Sequence, residues 1–158
     1  MTQFRRELVL TGTKSELPRI SRFVEEACDG ANVDSAARFD LQMAVDEACC
    51  NVFEHAYDGS VGEIDLRFET RGRDVVITLH DHGRAFNPEV VPRPDTSRPL
   101  EERPVGGLGL HLMRKLMDKV CFAFSPELGN TLVMEKHKVV PGDPKKGSSE
   151  GPSAMPSQ

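Results

Sequence analysis

The sequence predicts an α+β domain, a two-layer α/β sandwich with helices on one face of a mixed, mostly antiparallel sheet. Three observations lead there. Stretches of alternating or dense apolar residues come in pairs joined by tight turns, at 63–70 with 74–80 and at 120–125 with 131–137. Stretches with an apolar residue every three or four positions fall between them. The resulting order is strand, two helices, two strands, long loop, helix, two strands.

The chain of 158 residues and 17.5 kDa is one domain's worth, enough to bury roughly 70% of its unfolded surface. Residues 1–140 are expected to form the folded domain. Residues 141–158, rich in Pro, Gly and Ser and without an apolar period, read as a disordered tail. A net charge of -5 and a pI near 5.5 argue against a protein that coats nucleic acid. No apolar run approaches the roughly 18 residues a bilayer span needs, and the first residues lack the core of a signal peptide. The expectation is a cytoplasmic protein without direct nucleic-acid or membrane contact. With no Trp and one Tyr, base stacking and aromatic cages have little material.

Phe4 to Thr11 reads as the first strand. Ser15 can cap a helix with Pro18 in its first turn, and Leu17, Ile20, Phe23, Val24, Ala27 and Cys28 give its apolar stripe. A second helix is expected from about Ser35 to Tyr57, ended by Asp58-Gly59. Ile64, Leu66 and Phe68 define one face of the next strand, and Arg71-Gly72-Arg73 turns it into a strand at 74–80. Residues 83–107 carry Pro88, Pro92, Pro94, Pro99 and Pro104, a density no regular element survives. A loop of that length inside a compact domain is functional or disordered. A helix from about Leu108 to Lys119 and a final hairpin, turning at 127–130, complete the domain. Of the four cysteines, Cys28, Cys49 and Cys121 are expected to act as small buried hydrophobes. No CxxC pair occurs, and His80, His82 and His111 with Cys121 match no metal-ligand spacing.

Three places carry chemistry. On the second helix, Leu41, Ala44, Val45, Ala48, Val52 and Ala56 fall in one core-facing arc, with Asp46, Cys50 and Glu54 roughly opposite. Glu47, Asn51 and His55, four apart, form a polar stripe on the border, where residues lining a cleft beside the core would sit. Glu47 can serve as a general base tuned by burial, and Asn51 offers a neutral oxygen to a hard cation such as magnesium. Next, Asp81-His82-Gly83 follows the buried strand. An acid at a strand end can accept a hydrogen bond from an exocyclic amine, and glycine lets backbone approach a flat ring. Finally, Gly106-Gly107-Leu108-Gly109-Leu110 closes the proline-rich loop and opens a helix, where free N–H groups and the helix dipole favour an anion. It is neither a Walker A loop nor a Rossmann fingerprint.

The order E-x-x-x-N on a helix, D-x-G after a strand, a long loop, G-x-G-L opening a helix and a strand starting with Thr131 resembles the Bergerat ATP-binding superfamily, the histidine kinase-like ATPases. The form E-A-x-x-N-x-x-x-H-A-Y at Glu47 to Tyr57 and G-L-G-L-H-L-M at 107–113 are most similar to the anti-sigma factor serine/threonine kinases. The resemblance covers roughly residues 5–138. It implies Glu47 as catalytic base, Asn51 as the Mg²⁺ ligand, Asp81 as the adenine-binding acid with Gly83 beside it, and about 87–105 as an ATP lid. It further implies Gly107, Leu108, Gly109 and Leu110 as the phosphate-binding turn, Thr131 near the adenine, and His55 beside the nucleotide without an assigned chemical role. Arg103, in the lid, is a candidate phosphate contact. Where many members carry a second glycine two residues after Gly83, this chain has Ala85.

The implied function is ATP-dependent phosphorylation of a serine or threonine on an anti-anti-sigma (antagonist) protein, with sequestration of a sigma factor and homodimerisation; the cofactors are ATP and Mg²⁺. The alternative is a catalytically silent ATP-binding switch that controls partner binding. Hydrolysis of ATP by water activated at Glu47 is a third possibility, disfavoured because gyrase-like relatives carry a transducer domain that so short a chain lacks. A histidine kinase is disfavoured because no phosphoacceptor hairpin precedes the domain.

Overall fold

The computed structural model describes residues 3–85 and 105–142, with 105–109 by their backbone alone. The elements follow in the order β1 (Arg5–Gly12), a 3-10 turn (Lys14–Glu16), α1 (Leu17–Ala31), α2 (Ser35–Asn51), a π-helical turn (Val52–Ala56), β2 (Gly62–Arg71), β3 (Asp74–Asp81), α3 (Val105–Leu116), β4 (Lys119–Ser125) and β5 (Gly129–Lys136). The strands form one five-stranded sheet in the order β1-β2-β3-β5-β4. All four pairings are antiparallel, so among the described residues the sheet is not mixed as expected. Tight turns at Gly72 (φ +60°) and between β4 and β5 make two of the pairings hairpins. The passage through α3 and β4 returns β5 between β3 and β4.

Period-two alternation decides which residues enter the core. On β2, Ile64, Leu66 and Phe68 are fully buried while Glu63, Asp65, Arg67 and Glu69 lie on the other face. Ile77 and Leu79 of β3 and Leu132 and Met134 of β5 continue the buried face. The helices cover it with Ile20, Val24, Ala27 and Cys28 from α1, Leu41, Ala44, Val45 and Ala48 from α2, and Met113 from α3. Each large aliphatic side chain removed from water in this way contributes about 1.5–3 kcal/mol.

The structure differs from the sequence expectations at several boundaries. The first cap is Thr13, not Ser15: Thr13 Oγ1 accepts from the Ser15 N–H at 3.4 Å and opens the 3-10 turn, so α1 begins at Leu17 with Pro18 in its first turn. The third helix is set about three residues earlier than expected. Lys119 already pairs with Glu135 in the sheet, which takes that backbone out of the helix. Cys121 is exposed, correcting its assignment as a buried hydrophobe, because β4 turns Val120 and Phe122 inward and the residue between them outward. Cys28 and Cys49 are buried as expected.

The second helix does not continue as α-helix to Tyr57. It is α-helical to Asn51 and then winds more widely, with the Tyr57 N–H donating to the Val52 carbonyl at 3.0 Å, a five-residue step. The four-residue spacing from Asn51 to His55 therefore no longer stacks the two residues as a regular helix would. Asp58 (φ +53°) and Gly59 (φ +79°) end the segment as expected.

Candidate functional site

Asn51 is the last residue of α2, Asp81 the last of β3, and Asn130 the second of β5. The fold brings all three to one cleft, whose apolar walls come from Ala48, Val52, Ala56, Leu79, Met113 and Phe122. All three are buried polar residues, with Asn51 4%, Asp81 2% and Asn130 9% exposed. A buried polar side chain is costly unless hydrogen-bonded, so each needs an account.

Asp81 is held from two sides. Its Oδ1 accepts from the Gly83 N–H at 2.8 Å and from Asn130 Nδ2 at 2.9 Å. Burial raises its carboxyl above the ordinary carboxylate range, and the bonds from Asn130 and Gly83 act in the opposite direction. Asn130 Nδ2 also donates to the Arg84 carbonyl at 2.9 Å, tying β5 to the turn after β3. The turn is further fixed to the π-helical segment: the Arg84 N–H donates to the Ala56 carbonyl and Arg84 Nε to the His55 carbonyl, each at 2.9 Å. On the far side, the His82 N–H donates to the Tyr57 hydroxyl at 2.9 Å.

Asn51 differs. Its Nδ2 is buried and has no hydrogen-bond partner among the described residues. An amide left in this way at a cleft wall fits a site whose remaining partners arrive with a ligand. No group of three or more metal-ligating His, Cys, Asp or Glu occurs among the described residues. Among the described residues, the cleft thus presents the amide of Asn51 beside Asp81 and Asn130 rather than a closed cage of metal ligands. The unpaired Nδ2 is a donor and suits an anionic oxygen such as a phosphate's, while the Oδ1 of the same amide is the atom that a magnesium ion would take.

Glu47 lies one turn before Asn51 on α2 and is half-buried. It is not among the residues lining the cleft. Burial raises its carboxyl above 4.5, and the neighbouring charges of Asp46 and Glu54 add to this. His55, one turn past Asn51, is held in place at its carbonyl by Arg84. Thr131 borders the cleft and pairs with His80 on β3. Leu110 is buried in α3, and Gly107, Leu108 and Gly109 lie in the first turns of the same helix. Arg103 and the expected lid, apart from Val105, lie outside the described residues.

Two features escaped the sequence reading. Asn130 was not singled out, although it follows the glycine at the start of β5. The register pairs it with Asp81, so strand alternation puts it on the cleft side. Gly83, expected to admit a flat ligand, is already required by the protein itself. A Cβ there would lie 2.6 Å from both the Cβ and the carbonyl oxygen of Ala56.

Among the described residues, no helix is long and apolar enough to cross a membrane. The chain is 35% identical over 102 residues to the serine-protein kinase RsbW of Bacillus thuringiensis (strain Al Hakam), covering 62% of each chain. To the protein of that name in Bacillus mycoides (strain KBAB4) it is 36% identical over 103 residues, again 62% of each. The chain thus spans about 62% of the length of these curated relatives. Among solved structures, the nucleotide-free catalytic domain of the histidine kinase ThkA is similar, with a TM-score of 0.49 and 18% identity, over 85% of this chain and 99% of that one. Residues 10–136 match the histidine kinase-like ATPase domain, and the chain belongs to that family.

Proposed function

We propose that the chain is an ATP-dependent serine/threonine protein kinase. It phosphorylates an antagonist protein of the anti-anti-sigma class and, as a homodimer, holds a sigma factor. One observation carries the reading. Within a single mostly apolar cleft, a buried carboxylate fixed at one oxygen (Asp81) lies with a buried, unpaired amide (Asn51). An adenine can offer its exocyclic amine to the first, and Mg²⁺-bound phosphates can meet the second. Similarity to serine-protein kinases RsbW supports the kind of acceptor.

In this reading Asp81 and the apolar walls orient the base. Asn51 would hold Mg²⁺, which supplies charge neutralisation at the phosphates when bound. The backbone at Gly107 to Leu110, with Arg103, takes the phosphates, and Thr131 lies near the adenine. Glu47 accepts the proton from the acceptor hydroxyl. The hydroxyl oxygen forms a bond to the γ-phosphorus as the bond to the β–γ bridging oxygen breaks, and ADP leaves. Positioning and charge complementarity supply most of the rate.

The test is incubation of the full chain with ATP and Mg²⁺ and with proteins captured on it, followed by mass spectrometry. Phosphoserine or phosphothreonine on a captured protein is expected, and its absence with Glu47→Gln. Tight ATP binding without any phosphopeptide would instead identify a silent switch. Asp81→Asn is expected to weaken ATP binding; an unchanged dissociation constant would remove the adenine role.

A further inference from the structure

Asn130 touches both Asp81 and the turn after it. Its Nδ2 donates at 2.9 Å to Asp81 Oδ1 and at 2.9 Å to the carbonyl of Arg84. The Gly83 N–H donates to the same Oδ1 at 2.8 Å. Both bonds therefore end on one carboxylate oxygen, Oδ1, so a ligand's donor would meet Oδ2. A carboxylate held by a single donor is freer to turn about its Cβ–Cγ bond, which spreads Oδ2 over several directions. Two donors on one oxygen restrict that rotation. At 9% exposure, Asn130 does this inside the cleft wall.

We propose that Asn130 is a specificity-determining positioning residue: by clamping Asp81 Oδ1 from β5, it aims Oδ2 at the exocyclic amine of the bound base and so makes the cleft select a 6-amino purine. This rests on the reading of Asp81 as the adenine-binding acid. The reach to Arg84 makes the clamp bifunctional, since the same amide sets the carboxylate and the start of the turn leading toward residue 86. The effect of Asn130 is then ligand-dependent. It acts only on nucleotides that present a donor to Oδ2. A residue that merely braces β5 against the turn would affect all nucleotides alike.

The experiment measures binding to the full chain by calorimetry with two probes, ATP and purine riboside triphosphate, which lacks the 6-amino group. Wild type is expected to prefer ATP. Asn130→Ala is expected to weaken ATP about tenfold and the analogue less than twofold. Asn130→Ser keeps a hydroxyl donor, is expected to fall between, and serves if the alanine variant does not fold. Equal losses for the two probes, or no loss with ATP, would overturn the inference. Asp81→Ala separates it from its premise. That variant is expected to bind both probes alike; if it still prefers ATP as wild type does, the adenine role of Asp81 falls, and the role of Asn130 with it.

Discussion

Gly83 and Ala56 meet backbone to backbone: a Cβ on residue 83 would lie 2.6 Å from the Cβ of Ala56 and 2.6 Å from its carbonyl oxygen. The same carbonyl accepts from the Arg84 N–H. The turn that follows Asp81 is thus seated on the π-helical end of the helix that carries Asn51. Gly83→Ala is expected to cost about 1–3 kcal/mol of stability, the range of overpacking. Adding Ala56→Gly should return only part of that, because the carbonyl remains. Urea unfolding of the single and double variants checks both; full recovery would place the clash on the side chain alone.

Gly129 is expected to be less replaceable still. It sits at φ +88°, and a Cβ there would come within 2.2 Å of the Asp81 carbonyl oxygen. Gly129→Ala combines backbone strain with a clash against backbone that cannot give way. A loss of about 3 kcal/mol or more is expected, together with weaker ATP binding, since Asp81 would have to move. A variant with wild-type stability and affinity would contradict this.

The acid limb of the pH–rate profile should report Glu47. Its carboxyl lies above 4.5, chiefly through burial and then through the charges of Asp46 and Glu54. If Glu47 takes the acceptor proton, the rate falls as pH drops through a midpoint above 4.5. Asp46→Asn removes one of the charges and should move that limb to lower pH. Glu47→Gln should lower transfer by orders of magnitude while ATP affinity stays within several-fold. An acid limb that Asp46→Asn leaves in place would argue for another base.

Asp46 also bears on stability. Its Oδ1 is buried without a hydrogen-bond partner among the described residues, and burial raises its carboxyl above 3.8. An acid whose folded-state pKa is raised favours folding when protonated, below 3.8, and loses that contribution as pH rises through the folded value. At neutral pH the ionised group is therefore a cost. Asp46→Asn is expected to raise the Tm at pH 7 by roughly 2 °C or more, with the gain vanishing in acid. A lower Tm at neutral pH would refute it.

Thiol labelling should resolve the cysteines in sequence. Cys121 is exposed and is expected to react first. Cys28 is buried, and that burial pushes its thiol up to about 11. Cys49 is fully enclosed and is pushed higher still. Both should react only on unfolding, because the thiolate is the reactive form. Labelling of Cys28 or Cys49 at the rate of Cys121 would mean that the helical layer opens readily.

The sheet was legible because alternation at Ile64, Leu66 and Phe68 has one consistent solution, with the odd-numbered residues outside. The strand pairs were legible from Gly72 and from Gly129-Asn130. What could not be read was decided by contacts distant in sequence. The π-helical turn has no signature in Val52–Ala56; it is stabilised by Arg84, some thirty positions later. Asn130 gains its place from pairing with Asp81, 49 residues away. Cys121 looked like a core residue in isolation, and only the inward direction of its two neighbours turned it out. In the site, Asn51 and Asp81 were legible from residue type and position at the ends of a helix and a strand. Glu47 was legible as a half-buried acid, though its separation from the cleft walls was not.

The position of β5 in the sheet sets an order of events. It is the last strand among the described residues, yet it lies between β3 and β4, and it brings Asn130 to Asp81. During synthesis, the first three strands and two helices can assemble while the cleft still lacks one wall and its acid lacks a clamp. The cleft is therefore completed at the end of folding, through a strand pairing of residues far apart in sequence, the class of contact that forms slowly. A nascent or partly unfolded chain would lack a finished cleft, and under the proposed function any regulation by nucleotide would apply only to chains that have completed the sheet.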